Sequence, residues 1–112
     1  MNDLNSMLIE GELAEDVWFG ENKDGEKIAQ VFLYSRRYFT YERDTEREQT
    51  TVKIIAERNL AEAIKDLKKG RRIRAVVRLR NERCMTGSHE VNWVVVCAEH
   101  IEIKPSYERR DG

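Results

Sequence analysis

The chain has 112 residues, 40% hydrophobic and 37% charged, with a formal net charge of −1. This length carries one domain with its own core rather than two, and the apolar content excludes a disordered chain. No apolar run reaches the length of a membrane span, MNDLNSMLIEGEL lacks the basic-then-apolar order of a signal peptide, and two cysteines exclude a disulfide scaffold. A soluble, cytoplasmic protein is expected.

Over residues 5–13, Met7, Ile9, Gly11 and Leu13 alternate with Ser6, Leu8, Glu10 and Glu12, the period of a half-buried strand. Gly11 on the apolar face leaves room for another backbone or a large side chain to approach closely, or marks a bend where a sheet curls. Asn22-Lys23-Asp24-Gly25 is turn chemistry, because Asp and Gly tolerate positive φ. A second strand runs from Lys27 into SRRYFTYER, with Ile28, Val31, Phe32 and Leu33 supplying β-branched and aromatic content. Residues 42–49 are polar and read as a solvated loop or hairpin tip. Residues 50–57 form a third strand, with Val52, Ile54 and Ala56 on one face and Thr51, Lys53, Ile55 and Glu57 on the other.

Then the period changes. Leu60, Ala63, Ile64 and Leu67 recur at helical spacing, Asn59 is placed as N-cap, and Glu62 completes a capping box. Lys68 and Lys69 fall in the last turn and Gly70 at the left-handed C′ position. In the fourth strand, residues 72–80, Ile73, Ala75, Val77 and Leu79 alternate with Arg72, Arg74, Val76, Arg78 and Arg80. The loop NERCMTGSHE leads to a fifth strand, VNWVVVCAEHIEI. Its apolar centre suits a strand covered on both sides or at a subunit contact. Five strands with a helix between the third and fourth give an all-β chain with the element order of the OB-fold, a β-barrel with one short helix. This domain is expected over residues 1–104, with 105–112 as a short flexible tail.

The near-neutral total hides an uneven distribution. Residues 1–26 carry one Lys against eight acids, residues 27–80 fifteen Lys or Arg against seven, and residues 81–112 four against six. A polyanion would meet the basic middle rather than the sum.

The opening NSMLIEGEL with Asp16 beyond it, Asp24-Gly25, the strand at residues 29–35, Leu60-Ala61-Glu62, Lys69-Gly70, Leu79-Arg80 and the run from Val95-Val96 to Ile101 follow one another at a spacing that resembles the bacterial single-stranded DNA-binding proteins. The resemblance spans residues 5–103. It implies an OB-fold that binds single-stranded DNA without sequence preference in replication, recombination or repair. It also implies a homo-oligomer, tetramer or dimer, and replication or repair proteins as further partners. Of the aromatics on which that family stacks bases, the first matches Phe39, with Tyr38 and Tyr41 beside it. The others fall at Thr51, Glu57 and Cys84, which carry no aromatic ring. The acidic, apolar tail tip of that family is also missing from SYERRDG.

Period two places Arg72, Arg74, Arg78 and Arg80 on one side of a sheet, with Lys53 on the outward face of strand three. Guanidinium groups offer phosphate planar, paired donors. Arg36 and Arg37 interleave with aromatics, and stacking on exposed rings ignores base sequence. The expected nucleic-acid contacts are therefore Arg36, Arg37, Phe39, Tyr41, Lys53, Lys69, Arg72, Arg74, Arg78 and Arg80. The competing account is a solvated charged face that resists edge-to-edge pairing and is neutralised by Glu48, Glu57 or Glu82. That account fits an OB-fold protein-interaction module like primosomal replication protein B, with weak or no DNA binding.

Trp93 reads as core or interface, and Trp18 precedes the first turn with no role assigned. Cys84, His89, Cys97 and His100 invite a metal hypothesis, but Cys97 and His100 lie an odd number apart in a strand and so should face opposite sides. No metal, cofactor or catalytic group is expected. The chain has no phosphate-cradling Gly loop and no His beside a nucleophile motif.

Overall fold

A computed structural model describes residues 2–105. The expected tail lies outside the described residues from residue 106 onward. The order is β1 (Met7–Leu13), β2 (Trp18–Glu21), β3 (Lys27–Tyr41), β4 (Asp44–Glu57), α1 (Arg58–Ile64), β5 (Arg72–Thr86) and β6 (His89–Ile103). Hydrogen-bonded neighbours run β1-β5-β6-β4-β3-β2, and β1 also pairs with β3. The sheet therefore closes on itself through β1, β5, β6, β4 and β3, which is the five-stranded OB barrel expected.

β2 is an addition the sequence reading missed, and it moves the helix to between β4 and β5. It pairs with β3 at residues 27–30, while β1 pairs with the same edge of β3 at Leu33 and Tyr34. β1 and β2 thus act as one interrupted strand. Four residues are too few to display a period.

The alternation seen in the sequence builds the core. Leu13, Ala29, Val31, Leu33, Ile54, Ala56, Ile73, Ala75, Val77 and Ile101 point inward and are buried, and Ala61 and Ile64 of α1 join them. Removing each larger aliphatic side chain from water contributes roughly 1.5–3 kcal/mol. Gly11 meets the close backbone approach expected: a Cβ there would run into the carbonyl of Tyr34, where β1 passes from β5 to β3.

Three boundaries differ. Asn5 and Ser6 lie outside β1, yet the Asn5 amide exchanges two hydrogen bonds with the Leu79 backbone, at 2.8 and 3.0 Å, as a strand residue would. Residues expected in loops, 42–49 and 81–90, instead extend two long hairpins that turn at Glu42-Arg43 and Gly87-Ser88. The capping box does not form. α1 starts at Arg58 after Glu57 with no side-chain cap, so Asn59 lies inside the helix, and the Glu62 carboxylate pairs with Lys27 and Lys65. The helix ends at Ile64, so Lys68 and Lys69 fall in the following loop, where Gly70 (φ 90°) donates its N–H to Leu13.

Candidate nucleic-acid interface

Pairing fixes which side chains share a face. Along the β3–β4 hairpin, Gln30/Ile55, Phe32/Lys53, Tyr34/Thr51 and Arg36/Gln49 are opposite pairs on the outward face. Arg37/Glu48, Phe39/Glu46 and Tyr41/Asp44 continue the inward face beyond the end of the core. On β5 and β6 the outward pairs are Arg78/Cys97, Arg80/Val95, Glu82/Trp93 and Cys84/Val91. β4 and β6 run parallel and pair at Ile54/Val96 and Ile55/Cys97, so the outward faces of the two hairpins form one surface at that junction.

The ten expected contacts divide into three groups. Arg36, Lys53, Arg78 and Arg80 lie outward on this surface. Arg37, Phe39 and Tyr41 lie on the opposite face of the β3–β4 hairpin, where Arg37, Phe39 and Glu48 line a shallow depression. Lys69, Arg72 and Arg74 lie toward β1, with Lys69 and Arg72 lining an open cleft that Lys68, Arg71 and Pro105 complete. Phe39 is 40% and Tyr41 67% exposed, so both rings are available.

Most of the arginines are already paired. Arg74 donates to Glu10 and lies 3.0 Å from its carboxylate, Arg72 lies 3.7 Å from the same group, and Lys104 joins them at 3.9 Å. The hydrogen bond from Arg74 is the main reason the Glu10 carboxyl is held below its ordinary range. Arg78 lies 3.4 Å from Glu99, and Arg80 lies 2.7 Å from Glu57 and 3.2 Å from Glu82. Arg36 lies over the ring of Tyr34 at 5.6 Å and 3.5 Å from Glu12. Among the described residues, Arg37, Lys53 and Lys69 form no ion pair.

Two tryptophans gain positions. The indole of Trp18 folds over Gly20 on β2, and Trp18 pairs outward with Gln30. Trp93 is 46% exposed and outward, not core. Val91 and Val94 are also exposed, so the apolar centre of the fifth strand is not covered on both sides within this chain. Strand parity, once the register is known, is the signal that identifies Phe32, Tyr34 and Trp93 as surface aromatics; the apolar run VVV concealed it for Trp93.

The separation of Cys97 and His100 is also corrected. Val76 pairs with His100 but Val77 with Ala98, and this bulge at Glu99 brings both Cys97 and His100 outward. Among the described residues, no three His, Cys, Asp or Glu side chains gather to hold a metal ion. No helix among them is long and apolar enough to cross a membrane.

The family model described as the single-strand binding protein family matches residues 4–104. A search of the curated proteins finds no match. Among solved structures, the chain superposes on the Plasmodium falciparum SSB in complex with ssDNA with a TM-score of 0.76 and 16% identity, covering 94% of this chain and 98% of that one. A deletion mutant of the single-stranded DNA binding protein from Thermus aquaticus gives 0.79 at 23% identity, covering 91% of this chain and 51% of that one. The wild-type Thermus aquaticus protein gives 0.78 at 22%, covering 91% and 50%. The chain spans about half the length of the two Thermus aquaticus chains.

Proposed function

Because the chain belongs to the single-strand binding protein family, we propose that it binds single-stranded DNA without strong sequence preference, in replication, recombination or repair. The observation that carries this reading is the outward face of β3 and β4. There Lys53, with no ion pair among the described residues, stands opposite Phe32, and β5, on the far side of β6, presents Arg78 and Arg80.

The paired arginines remain usable. Exposed ion pairs contribute about 0–1 kcal/mol, so a phosphate can take the place of a carboxylate at little cost. Each phosphate neutralised also releases counterions, which makes binding fall steeply with salt. A strand crossing the outward face past Arg36, Lys53, Arg78 and Arg80 reaches Arg37, Phe39 and Tyr41 by bending around the β3–β4 hairpin. Lys69, Arg72 and Arg74 extend the charged track toward β1. The role is binding rather than catalysis, and the site of action is the cytoplasm. The OB domain is taken as residues 1–104.

Assembly into a dimer or tetramer belongs to the same reading. Leu8 of β1 and Val94 of β6 are exposed apolar groups that a second copy would cover. Light scattering that gives a monomer mass at micromolar concentration contradicts this part alone.

The carboxylate-paired arginines favour one rival, a protein-interaction module. Anisotropy of labelled oligo-dT in low salt separates the two. The double variants Arg37→Ala/Phe39→Ala and Lys53→Ala/Arg80→Ala should each weaken binding by an order of magnitude or more. Unchanged affinity in both would leave the interaction module.

A further inference from the structure

The aromatic rings assigned to DNA binding so far stand on one hairpin. Trp93 stands on the other. It lies outward on β6, opposite Glu82 and diagonal to Cys84 and Arg80 on β5. Diagonal partners on one face of an antiparallel pair lie about 7–8 Å apart, within reach of an indole. β4 and β6 pair at Ile54/Val96, and three residues further toward the hairpin turns on each strand stand Thr51 and Trp93. Thr51 in turn faces Tyr34, and the adjacent pair is Phe32/Lys53. Trp93 is thus brought to the same surface as Lys53 and Phe32, from a different strand.

This indole is left 46% exposed, between the exposed residues Asn92 and Val94. A half-exposed ring on a surface this highly charged leaves its face open to a flat ligand. The occupant follows from its neighbours. Lys53 has no ion pair among the described residues, and Arg80 holds only exchangeable, partly exposed carboxylates. Cations flanking an aromatic face suit a polyanion that also carries flat rings, whereas a second copy meeting this patch with its own across a two-fold axis would bring these cations against their like.

We propose that Trp93 is a base-stacking platform for single-stranded nucleic acid, with Lys53 and Arg80 taking the phosphates on either side. This rests on the binding function proposed above and adds to it a residue on the β5–β6 hairpin. The strand, which already passes Arg78 and Arg80 on β5, then stacks on rings of both hairpins.

The chain has two tryptophans, so Trp18→Phe leaves Trp93 as the sole indole reporter. Titration of this variant with unlabelled oligo-dT in low salt should quench its emission saturably, at the concentration where labelled oligo-dT anisotropy reports binding. Trp93→Ala should weaken the anisotropy-derived affinity by at least about fivefold, and Trp93→Phe should restore most of it. If Trp93→Ala fails to fold, the quenching result decides alone. Binding without quenching, with Trp93→Ala affinity unchanged, overturns this inference and leaves the DNA-binding reading intact. Absence of oligo-dT binding by the wild-type chain overturns both. Emission that changes with protein concentration but not with oligo-dT assigns Trp93 to a subunit contact and overturns the inference as well.

Discussion

Arg80 on β5 donates to Glu57 at the end of β4 over 2.7 Å, spanning the intervening β6 and its outward-facing Cys97. The pair covers that thiol, which is only 2% exposed although it does not belong to the barrel interior. It also occupies a guanidinium on the face proposed to carry phosphate. Glu57→Gln should therefore release Arg80. The expected result is oligo-dT affinity raised by up to about fivefold, since a partly exposed pair of this kind contributes on the order of 1 kcal/mol. The salt dependence should steepen by about one ion. Weaker binding in this variant would mean that Glu57 positions Arg80 rather than competing for it.

The same cover predicts thiol reactivity. Burial pushes the Cys97 thiol up, away from the thiolate that reacts. Cys84 is half-buried near the end of the β5–β6 hairpin. Alkylation of the native protein at mildly alkaline pH, followed by mass spectrometry, should label Cys84 first and Cys97 only on unfolding. Equal labelling rates would contradict the Arg80–Glu57 cover.

Gly11 gives a stability prediction. The atom blocking a Cβ there belongs to the Tyr34 backbone and cannot rotate away. Gly11→Ala should cost roughly 1–3 kcal/mol in denaturant unfolding, by forcing β1 off β3. A change in midpoint without a change in slope is expected.

Much of this fold was readable because one face of each strand is core. Ile73, Ala75 and Val77 declare β5 by burial, and Val52, Ile54 and Ala56 declare β4. The hairpin ends were not readable for the same reason. Residues 36–51 are all exposed, so no apolar alternation marks them, and they are held by backbone pairing and cross-strand contacts. Asn59 looked like a cap from its chemistry, but the chain turns at Arg58, with φ 56°, and leaves Asn59 inside the helix. The basic side of β5 was visible in sequence. Its neutralisation was only partly so: of Glu48, Glu57 and Glu82, the last two pair with Arg80, but Glu10 and Glu99 meet the arginines through pairing that no local pattern reveals.

Glu10 carries a pH prediction. Its carboxyl is held low by the Arg74 hydrogen bond, with Lys104 and Arg72 adding charge attraction. A carboxyl depressed in the folded state contributes stability above its ordinary titration range, and that share is lost as pH falls through the lowered value. Thermal unfolding of the wild type should lose stability on acidification below the carboxylate range, and Glu10→Gln should flatten part of that loss. An identical acid profile in the variant would remove Glu10 from the account.

On the proposed function, this barrel binds single strands electrostatically through its outward face and hairpins. Anisotropy titrations of labelled oligo-dT and of a duplex of equal length, repeated from low to moderate salt, test it most directly. The account predicts tight binding of oligo-dT at low salt, a steep linear fall of log affinity with log salt, and weaker binding of the duplex, whose stacked bases cannot reach the rings. No oligo-dT binding at low salt, or equal affinity for the duplex, would contradict it.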